Sequence, residues 1–173
     1  MPNPVVGILV GSASDLSAAS KAADILKDFG VPFEIGVASA HRTPEDVVNY
    51  ARGAASRGIK AIIAMAGLSA ALPGVIASHT TLPVIGVPIA SGALSGIDAL
   101  LSVAQMPPGI PVGSMGIDGA KNAALFALRV IAVNDSALAG RLGEWMEKSA
   151  RETRASRTKI ENMPAIPDEA FVK

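Results

Sequence analysis

The chain contains no cysteine, which excludes disulfides, thiolate zinc sites and a cysteine nucleophile. Histidine is almost as scarce: His41 and His79 are the only two, too few for a histidine metal cage, and no metal is expected. Aromatic residues are 3% of the 173 residues, which leaves no stacking platform for nucleic-acid bases. Charge of either sign is sparse as well. Fifteen basic and fifteen acidic side chains give a formal net charge of zero, so neither nucleic acid nor an anionic membrane is an expected partner. The opening segment MPNPVVGILVG lacks the basic stretch and long apolar run of a secretory signal, and the expected location is the cytoplasm.

Apolar residues are what the chain has in quantity: they form 50% of it, and mean hydropathy is +0.41. The length suits one domain with a substantial core. Residues 61–117 carry a single charged side chain, Asp98. Pro73, Pro83 and Pro88, together with glycines and hydroxyl residues, cut this stretch into pieces shorter than the roughly 20 residues of a membrane-spanning helix. A small domain has difficulty hiding so uncharged a surface by itself, so a homo-oligomer with an extensive interface is expected.

Short apolar runs at 5–10, 33–38, 61–65, 84–87 and 112–115 are β-branched or continuously apolar, as strands covered on both faces should be. Helical stretches lie between them. Asp15 is placed to cap a helix that runs to about Phe29 and ends at Gly30. Thr43 is placed to cap the next, with Pro44 at the first helical position and Asp46 three residues on. Further helices are expected at 70–79, 96–104 and 121–132. The alternation predicts an α/β fold, a flavodoxin-like three-layer sandwich on a five-stranded parallel sheet of order 2-1-3-4-5. Residues 135–161 hold eleven charged residues, with Leu138, Leu142, Trp145 and Met146 at helical spacing, which predicts an amphipathic C-terminal helix. One domain over 1–160 is expected, followed by an extended or disordered tail at 161–173.

Ligands of open parallel sheets bind beyond the carboxyl ends of the strands, where the strand order switches. Three small-residue loops follow the first three strands: GSASD (11–15), ASAHRTP (38–44) and AGLSAALPG (66–74). In the first, Ser12 and Ser14 beside free amides at a helix start suit a phosphate. Asp15 either accepts hydrogen bonds from sugar hydroxyls or only caps the helix. In the second, Arg42 offers a bidentate fork for phosphate, and His41 a group that moves protons near neutral pH. His79 closes a short helix, a position in which its side chain serves the last carbonyls. The third loop has a rival reading, with Ser69 as a hydrolase nucleophile between strand and helix. No histidine follows His79 to complete that triad in the usual chain order. The triphosphate loop G-x-x-x-x-G-K-S/T and the dinucleotide turn G-x-G-x-x-G are both missing. What remains is a small phosphate-bearing substrate handled by one histidine, with no cofactor.

The segments GSASD, SAHRTP, ALPG, GVP, ALSGIDALLSVAQMPPGIPVG and GAKNAAL together resemble the N5-carboxyaminoimidazole ribonucleotide mutase (PurE) family of purine biosynthesis, over about residues 5–150. The resemblance implies a flavodoxin-like fold, an octamer whose C-terminal helix packs on neighbouring subunits, and a cofactor-independent isomerase acting on a small ribonucleotide monophosphate. A carboxylate would move from the exocyclic nitrogen to C4 of an aminoimidazole. By the same resemblance Ser12, Ser14 and Arg42 would contact the phosphate and Asp15 the ribose. Ser39 and His41 would flank the migrating carboxylate, with His41 as general acid and base. Gly67, Ser69, Ala70 and Leu72 would form the imidazole-facing loop. The family's mutases usually read G-G-A-A-H-L-P-G there, whereas this chain reads G-L-S-A-A-L-P-G, with Ala71 at the position of a second histidine. The related carboxylases, which take CO2 directly, typically read G-R-S-N-A-L-S-G, so direct carboxylation is the alternative. A non-enzymatic ribonucleotide-binding module is a further one.

Overall fold

The computed structural model describes residues 3–160 and 163–171. Five parallel strands form one sheet: β1 (Val6–Val10), β2 (Phe33–Val37), β3 (Ala61–Gly67), β4 (Val84–Ile89) and β5 (Gly113–Ser114). Their order is β2-β1-β3-β4-β5, the flavodoxin-like α/β arrangement expected from the alternation of apolar runs and helices. Six α-helices connect and flank them: α1 (Leu16–Asp28), α2 (Pro44–Ala54), α3 (Leu72–Ala77), α4 (Ile97–Ala104), α5 (Ala120–Ala132) and α6 (Ser136–Ala155).

Side chains of a strand alternate between faces, and here each face has its own helices. Val6, Ile8, Ile63, Met65, Ile85 and Val87 pack with α1, α5 and the start of α6. Leu9, Ile62, Ala64 and Val84 pack instead with α2, α3 and α4. That double cover explains why β1 and β4 are buried throughout, while the edge strand β2 leaves Ile35 and Val37 exposed. Pro88 sits in β4 without an N–H to give. Its carbonyl accepts from Asp118, two residues after the Gly86 carbonyl accepts from Met115. The missing donor therefore falls on the β5 side, beyond the point where β5 has ended.

Several boundaries differ from the sequence expectations for local reasons. The strand expected at 112–115 is cut to two residues, because Pro107, Pro108 and Pro111 precede it and remove backbone donors. The helix expected from 70 starts at Leu72. The amides of Ala70 and Ala71 close instead onto the carbonyls of Leu68 and Ser69, at 2.8 and 2.7 Å. Neither expected cap forms through its side chain. Ser12, not Asp15, accepts from the Ser14 amide, and the Thr43 hydroxyl turns back to accept from the Ser39 amide at 3.0 Å. Asp135 does cap α6 by accepting from the Leu138 amide at 2.9 Å. Leu138 and Leu142 anchor that helix, and Trp145 meets the Phe29 ring at 6.5 Å. Of the expected tail, residues 161, 162, 172 and 173 lie outside the described residues, 163–167 have no regular element, and Asp168–Phe171 form a turn of 3-10 helix. No helix among the described residues is long and apolar enough to cross a membrane.

One polar cluster lies away from the sheet's carboxyl end. The Tyr50 hydroxyl donates to Glu34 at 2.8 Å, Arg57 pairs with the same carboxylate, and the Arg57 guanidinium stacks 4.8 Å from the tyrosine ring. A Cβ on Gly7 would collide with the Tyr50 hydroxyl, so β1 carries glycine where the phenol crosses it. Burial, reinforced by the neighbouring Glu34 carboxylate, pushes the Tyr50 hydroxyl well above its ordinary value of about 10.

Candidate active site

The loops after β1, β2, β3 and β4 converge at the carboxyl end of the sheet, around a cleft of about 620 Å³. The order switches between β1 and β3, because the chain steps from β1 to one side and returns on the other, and the cleft lies where such a switch predicts a ligand.

The first two loops are tied together by hydrogen bonds. A turn of 3-10 helix at Ala13–Asp15 lifts Ser14 and Asp15 to the cleft. The Ser14 hydroxyl lies 3.0 Å from both Ser12 Oγ and Asp15 Oδ1. Its single proton serves one of them. Arg42 Nη2 donates to the Gly11 carbonyl at 3.1 Å, and its Nε to Ser39 Oγ at 3.4 Å. The guanidinium therefore bridges the two loops and holds its remaining N–H groups in a fixed plane, as phosphate recognition requires. Ser39 is fixed in turn by Thr43, whose amide donates to the Ser39 carbonyl at 2.8 Å. Next to this frame His41 is exposed and lines the cleft, with no hydrogen-bond partner among the described residues. Among the described residues Asp15 is the only carboxylate in the lining and Arg42 the only guanidinium.

The third and fourth loops are held together by shape. A Cβ on Gly67 would collide with the Ser91 hydroxyl, and one on Gly92 would come within 2.6 Å of Leu68 Cδ2. Each loop thus places a glycine where the other places a side chain. Leu68 adopts the left-handed conformation, φ 53°, which costs an L-residue about 1–2 kcal/mol. Its packing over Gly92, itself left-handed at φ 64°, holds it there.

Gly67, Ser69 and Leu72 join Ser12, Ser14, Asp15, Ser39, His41 and Arg42 in lining the cleft. Ala70 is buried beneath its own loop and is outside the lining. Ala71 lines the cleft and brings a methyl group to it. His79 stands apart, its Nδ1 2.9 Å from both the Val75 carbonyl and Ser78 Oγ at the end of α3. Ser91, Leu68 and Ala40 also line the cleft and were not singled out from sequence. The signal for Ser91 was present: Ala90-Ser91-Gly92 is a fourth small polar loop after a buried strand. No group of three or more His, Asp or Glu side chains among the described residues is placed to hold a metal ion.

The AIR carboxylase family model matches residues 5–152. An N5-carboxyaminoimidazole ribonucleotide mutase of Pyrococcus horikoshii is 52% identical over 92% of this chain and 90% of its own length. A phosphoribosylaminoimidazole carboxylase of Saccharomyces cerevisiae is 47% identical over 94% of this chain but only 28% of its own length. Among solved structures, PurE of Treponema denticola superposes with a TM-score of 0.83, at 34% identity over 92% of this chain and 99% of that one.

Proposed function

The chain belongs to the AIR carboxylase family, and from that premise we propose that it is an N5-carboxyaminoimidazole ribonucleotide mutase, an isomerase of purine biosynthesis. The observation that carries the reading is the juxtaposition of a preset phosphate fork, Arg42 braced on Gly11 and Ser39, with the unengaged imidazole of His41. The mutase of Pyrococcus horikoshii, matched over nearly the whole of both chains, supports the same activity.

Ser12, Ser14 and Arg42 bind the phosphate, and Asp15 accepts from the ribose. The aminoimidazole then lies toward the third loop, since the phosphate occupies the first two. Gly67, Ser69 and Leu72 bring small groups and backbone against the ring, with Ala70 filling the space below. The bond from the exocyclic nitrogen to the carboxylate carbon breaks and releases CO2 into the cleft, while His41 delivers a proton to that nitrogen. C4 attacks the CO2 carbon, and the same imidazole takes the proton that C4 loses, so no net proton is exchanged. Positioned proton transfer of this kind is typically worth 10²–10⁴-fold. A closed, dry cleft favours recapture of CO2 over its escape. The reaction runs without metal or organic cofactor.

The working form is a cytoplasmic homo-oligomer, an octamer, with residues 1–160 as one catalytic domain. Leu94, Ile97 and Leu101 are each at least half exposed within the nearly uncharged stretch, an apolar surface suited to neighbouring subunits. One observation favours direct carboxylation as the second reading: Ala71 gives the lining no imidazole. A paired assay separates the two. Faster product formation from N5-carboxyaminoimidazole ribonucleotide in CO2-depleted buffer supports the mutase. Faster formation from aminoimidazole ribonucleotide with saturating CO2 overturns it in favour of the carboxylase. Binding without turnover in either arm leaves a ribonucleotide-binding module.

A further inference from the structure

Ser91 Oγ is the one buried side-chain polar atom without a hydrogen-bond partner among the described residues. It lies under Gly67, against the space that a Cβ there would occupy, and Ser91 itself lines the cleft. A hydroxyl buried without a partner costs stability, while alanine fills almost the same room without that cost. An unpaired group at a cleft wall is consistent with a partner that arrives only with the ligand. The sheet order puts the loops in the sequence β2, β1, β3, β4. A phosphate held over the first two leaves the far end of the substrate facing the third and fourth. The polar side chains lining that end are Ser69, which is exposed, and Ser91. Ala71 adds none.

We propose that Ser91 is a further substrate-binding residue, whose hydroxyl turns about the Cα–Cβ bond from beneath Gly67 and donates to the carboxylate on the imidazole. The inference deepens the mutase reading and rests on it. Gly67 is part of the device, since the absence of a Cβ gives the hydroxyl its resting place and its room to turn.

The test compares wild-type protein with Ser91→Ala in equilibrium binding of two ribonucleotides, 4-carboxy-5-aminoimidazole ribonucleotide and its counterpart without the carboxylate, together with thermal unfolding. Ser91→Ala is expected to weaken the carboxylated ligand about tenfold or more, in line with a charge-assisted hydrogen bond. It should change binding of the other ligand less than twofold and leave Tm equal or raised. An equal effect on both ligands, or none on either, overturns the role of Ser91 while leaving the function standing. A lowered Tm overturns it too, because the hydroxyl then serves the fold. If wild-type protein binds neither ribonucleotide, the mutase reading falls and this inference falls with it.

Discussion

The two walls of the cleft are built differently. The wall from the first two loops is a hydrogen-bonded frame: Ser12, Ser14 and Asp15 form one chain of contacts, and Arg42 joins Gly11 to Ser39. The wall from the third and fourth loops has no such frame among its side chains. It is held by glycines opposite side chains, Gly67 against Ser91 and Gly92 against Leu68, and it leaves a hydroxyl unpaired. On the proposed binding mode the difference matches what each wall meets. A phosphate does not change during the reaction, so donors prearranged for it lose nothing by being fixed. The reacting imidazole and carboxylate change shape and charge, and a wall of small residues with uncommitted donors fits both forms.

The largest effect that tests this contrast is at His41. His41→Asn should reduce turnover by about 10²-fold or more while ribonucleotide binding persists, as steady-state rates and equilibrium titration would show. Retained turnover would remove the proton-shuttle role. Gly67→Ala attacks the sterically held wall. The added methyl takes the resting place of the Ser91 hydroxyl and, even with that hydroxyl turned away, meets the Ile89 carbonyl oxygen and Ser91 Cβ at 3.3 Å; overpacking of this kind costs about 1–3 kcal/mol. Turnover should fall by at least tenfold, and Tm by several degrees, since about 1 kcal/mol corresponds to roughly 2–4 °C at this size. An unchanged Tm would mean that the two loops do not interlock. Arg42→Ala attacks the hydrogen-bonded wall and should raise KM about tenfold or more, with kcat changed much less, because a charged hydrogen bond is worth about 1.5–3 kcal/mol. A fall in kcat at constant KM would move Arg42 from anchoring to chemistry.

The smallest effect lies outside both walls and serves as a control. Tyr50 is the only tyrosine, so tyrosinate absorbance reports it alone. Its folded-state value lies above the unfolded value of about 10. Both states hold the proton below pH 10, and the unfolded chain releases it first above that. Stability therefore falls as pH rises beyond 10. Tyrosinate absorbance should appear together with alkaline unfolding and not ahead of it. Titration near pH 10 in the folded protein would contradict the burial and the Glu34 contact. In neither case should turnover near neutral pH depend on this group.

Much of the fold was legible in the residues because both faces of the sheet are covered. Buried runs such as Val6–Val10 mark the strands, and their alternation with helices, joined by right-handed crossovers, points to the order that the sheet shows. The three loops of the site were legible for the same reason, since small polar residues after a buried strand have no packing role there. The caps were not. Asp15 and Thr43 occupy the right positions, but the Asp15 carboxylate accepts from the Ser14 hydroxyl and the Thr43 hydroxyl from the Ser39 amide, and only the three-dimensional arrangement decides between these partners and the helix amides. The glycine interlock was also beyond reach, since Gly67 and Ser91 lie 24 residues apart in sequence and meet only because β3 and β4 are neighbours.

The central claim is transfer of the substrate's own carboxylate within one cleft, and an isotope experiment tests it most directly. N5-carboxyaminoimidazole ribonucleotide labelled with 13C in the carboxylate is turned over in buffer equilibrated with unlabelled CO2, and the C4-carboxylated product is weighed by mass spectrometry. Retention of most of the label is the predicted result. Product carrying carbon from the buffer would contradict it and assign the cleft to direct carboxylation.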